Sequence, residues 1–172
     1  QMLFGFLIAI PETIVLGIVK GFMFGIYAFL SWWIILFTGK FPRNMWDHMS
    51  NFLFAMTQLN FYLMVLSDQK PSTNFDELGN HPLKLSTTYT EERSRIKLIF
   101  GPFFVIPHII GFMFRGIKAG ILMWYAMIVI LFTGKFPEGA WNYLFAFQRF
   151  QLRLQMFMMH ITDEVPENTV KQ

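Results

Sequence analysis

Histidines are the residues best suited to chemistry in this chain of 172 residues, which contains four of them. His108 and His160 lie beside apolar segments, and neutral imidazole is a common metal or haem ligand. No two histidines are spaced i, i+4, and no local group of Cys, Asp or Glu completes a ligand set. We therefore predict no metal and no cofactor, and we expect His108 to make an interfacial hydrogen bond.

A catalytic constellation is not recognisable in the sequence. There is no Ser-His-Asp set, nucleotide-binding loop or paired-carboxylate motif, and no cysteine for thiolate chemistry. Glu12 follows Pro11 in an apolar run, where an ionisable residue is a functional candidate by default. We favour helix capping for Glu12 over proton or ion handling. The sequence thus predicts no catalytic residue and a protein that is not an enzyme.

Four cations are the candidates for contact with a partner or a lipid. Arg149 and Arg153 lie one helical turn apart, so they can clamp an anionic headgroup or a partner's carboxylate. Snorkelling into interfacial water is the alternative for both arginines. Lys20 and Arg115 interrupt two long apolar runs, where basic side chains usually face lipid phosphates or set topology.

An internal repeat supplies the elements that position these residues. Residues 36–42, Leu-Phe-Thr-Gly-Lys-Phe-Pro, recur letter for letter as residues 131–137, a shift of 95 residues from Pro42 to Pro137. The same shift relates Trp46 to Trp141, Ser67-Asp68 to Thr162-Asp163, Pro71 to Pro166, Gly21 to Gly116 and Gly25 to Gly120. A register kept over so many positions indicates a tandem duplication.

The duplication divides the chain into two predicted membrane repeats. Repeat 1 covers residues 1–71 and is expected to be incomplete at its N-terminus, because Gln1 falls inside the repeat. A polar linker follows at 72–81, then repeat 2 at 82–167 and a tail at 168–172.

Composition favours a membrane protein. The chain is 54% hydrophobic and 15% charged, against about 25% charged residues in a soluble domain. Residues 21–39 form an uncharged run close to the roughly 20 residues that a helix needs to cross a bilayer. The formal charge of +3 is too small and scattered for a nucleic-acid footprint. We predict an all-α integral membrane fold that binds no nucleic acid.

The first apolar block of each repeat has two candidate architectures. As one helix, residues 2–39 would extend about 57 Å, nearly twice the hydrocarbon thickness. We favour a helical hairpin whose tip lies near Lys20 in repeat 1 and near Arg115 in repeat 2, because this places both cations at a membrane surface. A kinked long helix, with an interfacial part ending near Pro11 and Pro107, is the alternative.

A turn and an amphipathic helix complete each predicted repeat. Gly39 and Gly134 suit a left-handed helix C-cap, and Pro42 and Pro137 suit the start of the next helix. The second helices are predicted at 44–66 and 139–161, either spanning the membrane or lying in its interface. Repeat 2 has an apolar stripe at helical spacing: Tyr143, Phe147, Phe150, Leu154, Phe157 and Ile161. Residues 82–89 alternate in part and predict a short strand.

Glycines at i, i+4 spacing predict close helix packing within the apolar blocks. The candidate packing glycines are Gly17, Gly21, Gly25, Gly116 and Gly120.

The ordered pattern of motifs resembles an uncharacterised bacterial membrane family, catalogued as domain of unknown function 4389. In repeat 2 the pattern comprises Tyr89, Glu91, Ser94-Arg95, Ile106-Pro107-His108, residues 131–137, Arg153, Thr162-Asp163 and Pro166. Repeat 1 keeps Ile10-Pro11, residues 36–42, Tyr62, Ser67-Asp68 and Pro71. It departs from the pattern at Glu12, where repeat 2 has His108, and at Gln58, where repeat 2 has Arg153. The resemblance implies a bacterial membrane location and supplies no activity.

These observations lead to two functional hypotheses. The favoured one is a non-enzymatic structural or accessory subunit of a larger complex, multi-pass in a bacterial inner membrane, whose partners are membrane lipids and other membrane subunits. The alternative is a small transporter or lipid-handling protein with a site between the two repeats, since duplicated halves are typical of transporters.

Overall fold

Helices dominate the part of the chain that the computed structural model describes, which is residues 10–72, 74–80 and 88–164. In chain order the helices are α1 (Ile10–Thr38), α2 (Arg43–Leu63), α3 (Arg95–Thr133) and α4 (Glu138–Met158). A 3-10 turn, Phe75–Asn80, lies between α2 and α3. The described ranges hold no β-strand, and the predicted strand at 82–89 lies largely outside them.

The apolar blocks are continuous long helices, so the hairpin prediction is wrong. The described part of α1 has 29 residues and α3 has 39, or about 43 Å and 58 Å of helix. Lys20 lies at the end of a π-helical turn, Val15–Lys20, and Arg115 lies within α3. The Lys20 ammonium lies 3.6 Å from the centroid of the Phe75 ring, and Arg115 Cζ lies 4.6 Å from that of Phe150. Because aromatic faces accommodate these cations, no chain reversal is needed.

Both Thr-Gly-Lys-Phe-Pro segments end one helix and start the next. Gly39 and Gly134 adopt left-handed conformations with φ of 73° and 68°, and their N–H groups donate to the carbonyls four residues earlier. Only glycine adopts this conformation without a steric penalty. Pro42 and Pro137 are the extended N-cap residues of α2 and α4.

Aromatic contacts hold the helices together in antiparallel pairs. The Phe24 and Phe52 rings of α1 and α2 stack with centroids 4.6 Å apart, and Phe112 of α3 stacks on Phe147 of α4 at 5.2 Å. α2 and α4 meet through the Phe61 and Phe145 rings at 5.3 Å. The apolar stripe of α4 faces this core, where its buried members are Phe147, Phe150, Leu154, Phe157 and Ile161.

α2 and α4 end three residues earlier than predicted, because the chain leaves the helix through a left-handed residue. Val65 has φ of 57° and His160 has φ of 59°. Beyond them, Leu66 N–H donates to the Phe61 carbonyl and Ile161 N–H donates to the Met156 carbonyl, both at 2.9 Å. These bonds close the last turn, and the positive φ is strained for a β-branched valine.

The described part of the predicted linker folds back onto the first helical pair. Gln58 is fully buried, and its amide nitrogen donates to the Leu78 carbonyl at 3.5 Å while its amide oxygen accepts from Ser72 N–H at 3.4 Å. Lys70 pairs with the buried Glu12 at 2.5 Å. Residues 67–72 and 74–80 therefore cover one side of α1 and α2.

Candidate interaction surfaces

A broad apolar surface is formed by the exposed side chains of α1 and α3. Both helices are long and apolar enough to cross a membrane, yet only 6% and 11% of their most apolar windows is buried. A core helix of a soluble protein would be mostly buried instead. Members of this surface that are at least 65% exposed include Phe22, Phe29, Phe37, Phe114, Ile121, Leu131 and Phe132.

The first Thr-Gly-Lys-Phe-Pro turn is covered by the chain that leads into α3. Phe41 N–H donates to the Glu91 carbonyl at 2.8 Å, and Arg93 N–H donates to the Gly39 carbonyl at 2.9 Å. Tyr89 Oη donates to the Phe41 carbonyl at 2.6 Å, and Lys40 Nζ pairs with Glu91 Oε1 at 2.9 Å. The segment 89–95 thus lies along the turn as a short antiparallel bridge.

The chain that leaves α4 meets the same place, which we call the junction: residues 39–46, 89–97 and 160–163. The buried carbonyl of Ile161 accepts from Arg93 Nη2 at 2.7 Å and from Trp46 Nε1 at 3.2 Å. Lys97 Nζ donates to the Asp163 carbonyl at 2.9 Å. The junction therefore ties α2, the entry to α3 and the exit of α4 together.

Burial sets the electrostatics of the junction. Burial lowers the pKa of His160 to about 4, with the Arg93 charge acting in the same direction and Asp163 opposing it. Burial also lowers the pKa of the Arg93 guanidinium, an effect opposed by Asp163. His160 is therefore neutral near pH 7, which avoids a second buried cation beside Arg93.

The second Thr-Gly-Lys-Phe-Pro turn has the same internal geometry but an open surface. Thr133 Oγ1 donates to the Val129 carbonyl and accepts from Lys135 N–H, as Thr38 does with Ile34 and Lys40. A Cβ on Gly39 would lie 3.3 Å from Arg95 Nε, whereas one on Gly134 would meet nothing described within 4 Å. Lys135 is exposed.

The cations within α1 and α3 make equivalent contacts 95 residues apart. The His48 side chain hydrogen-bonds the backbone of Lys20, and Tyr143 Oη donates to the Arg115 carbonyl at 3.3 Å. Burial lowers the pKa of His48 and raises that of Tyr143. The His48 and Tyr143 side chains thus bind the backbone of Lys20 and of Arg115, respectively.

Arg149 and Arg153 are exposed on α4. The Arg149 guanidinium lies 5.9 Å from the Phe145 ring centroid. Arg153 occupies the position of Gln58, whose side chain is buried under the linker in the first pair. Sequence reasoning missed the burial of Gln58 and of Gln148, which donates to Met64 Sδ at 2.9 Å.

The predicted packing glycines divide into two groups. A Cβ on Gly21 would lie 3.7 Å from the Phe52 ring, and one on Gly116 would lie 3.7 Å from the Phe147 ring. These two glycines lie against the neighbouring helix of their own pair. Gly17, Gly25 and Gly120 have nothing described within 4 Å of a Cβ position, so their surfaces are open.

The residues considered for chemistry do not converge. His108 Nδ1 lies 2.9 Å from the Phe104 carbonyl of the same helix. Within residues 10–72, 74–80 and 88–164, no group of three or more His, Cys, Asp or Glu could hold a metal ion. Comparison of the chain with family models, curated proteins and solved structures gave no significant match. Membership of the family that the sequence resembles stays a prediction.

Proposed function

We propose that this protein is a non-enzymatic structural or accessory subunit of a membrane complex, with α1 and α3 inserted in the bilayer. The supporting observation is the apolar surface, on which large side chains such as Phe29, Ile121 and Phe132 are exposed along two helices. Leaving that area in water is unfavourable by about 25 cal/mol per Å², whereas lipid removes the penalty. The bacterial inner membrane is the proposed location, because the resembling family lies in bacterial membranes.

In the proposed architecture, the chain consists of two tandem membrane units. Positive φ occurs at Gly39 and Gly134 and again at Val65 and His160, and each pair is separated by 95 residues. Glycine at a helix end is common, but left-handed valine and histidine are not. A duplication explains why these left-handed residues recur at the same 95-residue spacing as the repeated sequence motifs.

An accessory role is favoured because the second unit leaves polar groups exposed. In the first unit the linker covers the position of Gln58, whereas Arg153 in the second unit is exposed beside Arg149. An anionic lipid headgroup or a partner carboxylate would neutralise both arginines. The transporter alternative is less well supported, since the described polar groups between the units, such as Trp46 and Arg93, are engaged in hydrogen bonds within the protein, and Phe61 and Phe145 form an aromatic contact.

Co-purification from native membranes tests this role. The double change Arg149→Ala, Arg153→Ala is expected to lower the recovery of associated proteins or lipids about tenfold, equivalent to about 1.4 kcal/mol. Arg43→Ala is the matched control, because its exposed pair with Asp47 is worth little. Both variants should stay in the membrane pellet after alkaline carbonate extraction. If the double variant recovers the same proteins and lipids in the same ratio as wild type, the arginines are only interfacial anchors.

A further inference from the structure

We propose that the second turn, residues 134–137, is a docking site for an extended polypeptide segment with the chemistry of Tyr89–Arg95. The occupant carries an acidic side chain for Lys135 and an arginine four residues later, and it leads into an apolar helix. When bound, the occupant forms one short antiparallel bridge with the backbone of the turn. The inference rests on the proposed accessory role and names the contact through which such a subunit would bind.

The first turn shows how this kind of segment is held. Two backbone hydrogen bonds, from Phe41 N–H to Glu91 and from Arg93 N–H to Gly39, fix the register. The Lys40–Glu91 ion pair selects an acidic residue beside the turn. Arg95 Nη2 donates to the Phe37 carbonyl at 3.1 Å, so a cation caps the negative end of α1.

The second turn repeats each of these binding groups. Residues 131–137, which include this turn, are identical to residues 36–42, and Gly134 has nearly the same φ as Gly39. Among the described residues, no group hydrogen-bonds Phe136 N–H or the Gly134 carbonyl, and Lys135 is exposed. Phe41 is fully buried under its segment, whereas Phe136 is only half-buried.

The described residues supply one such segment for two turns. Tyr89–Arg95 already lies on the first turn, so the occupant that we propose for the second turn lies outside the described residues. We assign it to another subunit that carries a segment of the same chemistry.

A peptide of residues 88–96, acetylated and amidated, provides the probe. It contains no lysine and its N-terminus is blocked, so a carbodiimide cannot form an amide between two copies of the peptide. With the full-length chain in native membranes, we expect a saturable amide link between Lys135 and Glu91 of the peptide, mapped by mass spectrometry. Lys135→Glu should lower the total saturable cross-linking about tenfold.

Charge exchange separates docking from nonspecific reaction. A Glu91→Lys peptide should fail to link to wild type and should link to the Lys135→Glu protein with about the wild-type yield. Lys40→Glu is the matched control, because it alters the occupied first turn and should leave the yield at Lys135 unchanged. A yield at Lys135 that rises linearly with peptide concentration, or no recovery with exchanged charges, overturns the proposal. If the protein is membrane-integrated and still does not bind the peptide, this inference falls while the membrane assignment stands.

Discussion

The Ile161 carbonyl is the most heavily used acceptor of the junction, and its two donors come from distant parts of the chain. Trp46→Phe removes the neutral donor at 3.2 Å, and Arg93→Met removes the charged donor at 2.7 Å while keeping an apolar stem. We expect losses of about 1 and 2 kcal/mol in the free energy of unfolding, respectively. Both side chains are buried, so water does not replace either bond.

The double variant should lose more than the sum of the single losses. With either donor present, the carbonyl keeps one partner. With both removed, a buried carbonyl is left without a side-chain donor, which costs about a further 1 kcal/mol. We therefore expect about 4 kcal/mol for Trp46→Phe, Arg93→Met.

Reversible unfolding by dodecyl sulfate in mixed micelles, followed by far-ultraviolet circular dichroism, measures these losses. Trp141→Phe is the matched control, because Trp141 occupies the equivalent position and is 37% exposed against a stacked Phe145 ring. Its expected loss is below about 0.5 kcal/mol. Equal losses for the two tryptophans, or additive losses for Trp46 and Arg93 within about 0.3 kcal/mol, would refute the reasoning.

Two further predictions use the left-handed residues at the ends of α2 and α4. Val65→Gly should raise the free energy of unfolding by about 0.5–1 kcal/mol in the same assay, because glycine accepts the φ of 57° without strain. His160 should make stability pH-dependent: with a folded pKa of about 4 and an unfolded value near 6.5, its contribution is complete above pH 6.5 and is lost as the pH falls towards 4. The slope should approach about 1.4 kcal/mol per pH unit. His160→Asn should reduce this dependence of the unfolding free energy on pH. If the slope is the same in the variant, other groups cause the pH dependence.

Local chemistry made part of this fold predictable. Gly39 and Gly134 signal a left-handed cap and Pro42 and Pro137 signal a new helix, so both turns follow from neighbouring residues alone. The stripe containing Phe147 follows from helical periodicity in the same way. These features are determined by residues that are close together in the sequence.

The features that sequence reasoning missed depend on contacts between distant residues. The hairpin tip at Lys20 is predicted from the cost of placing a cation in the membrane, and the prediction fails because the aromatic neighbour of Lys20, Phe75, lies in the distant linker. The junction was missed for the same reason, since Trp46, Arg93 and Ile161 belong to three separate segments. Glu91 can pair with the lysine of the repeated turn by charge alone, but its position beside Lys40 depends on the fold.

Thiol labelling tests most directly whether lipid covers the apolar surface. The chain has no cysteine, so Phe29→Cys, Ile121→Cys and Gln69→Cys each introduce one thiol. Phe29 and Ile121 are each 65% exposed in the protein alone, so the folded chain itself does not shield them, and Gln69 is exposed beyond the end of α2. In opened native membranes we predict that a water-soluble maleimide labels Gln69→Cys and reacts about tenfold or more slowly at the other two positions. Equal reaction at all three positions would contradict membrane insertion of α1 and α3.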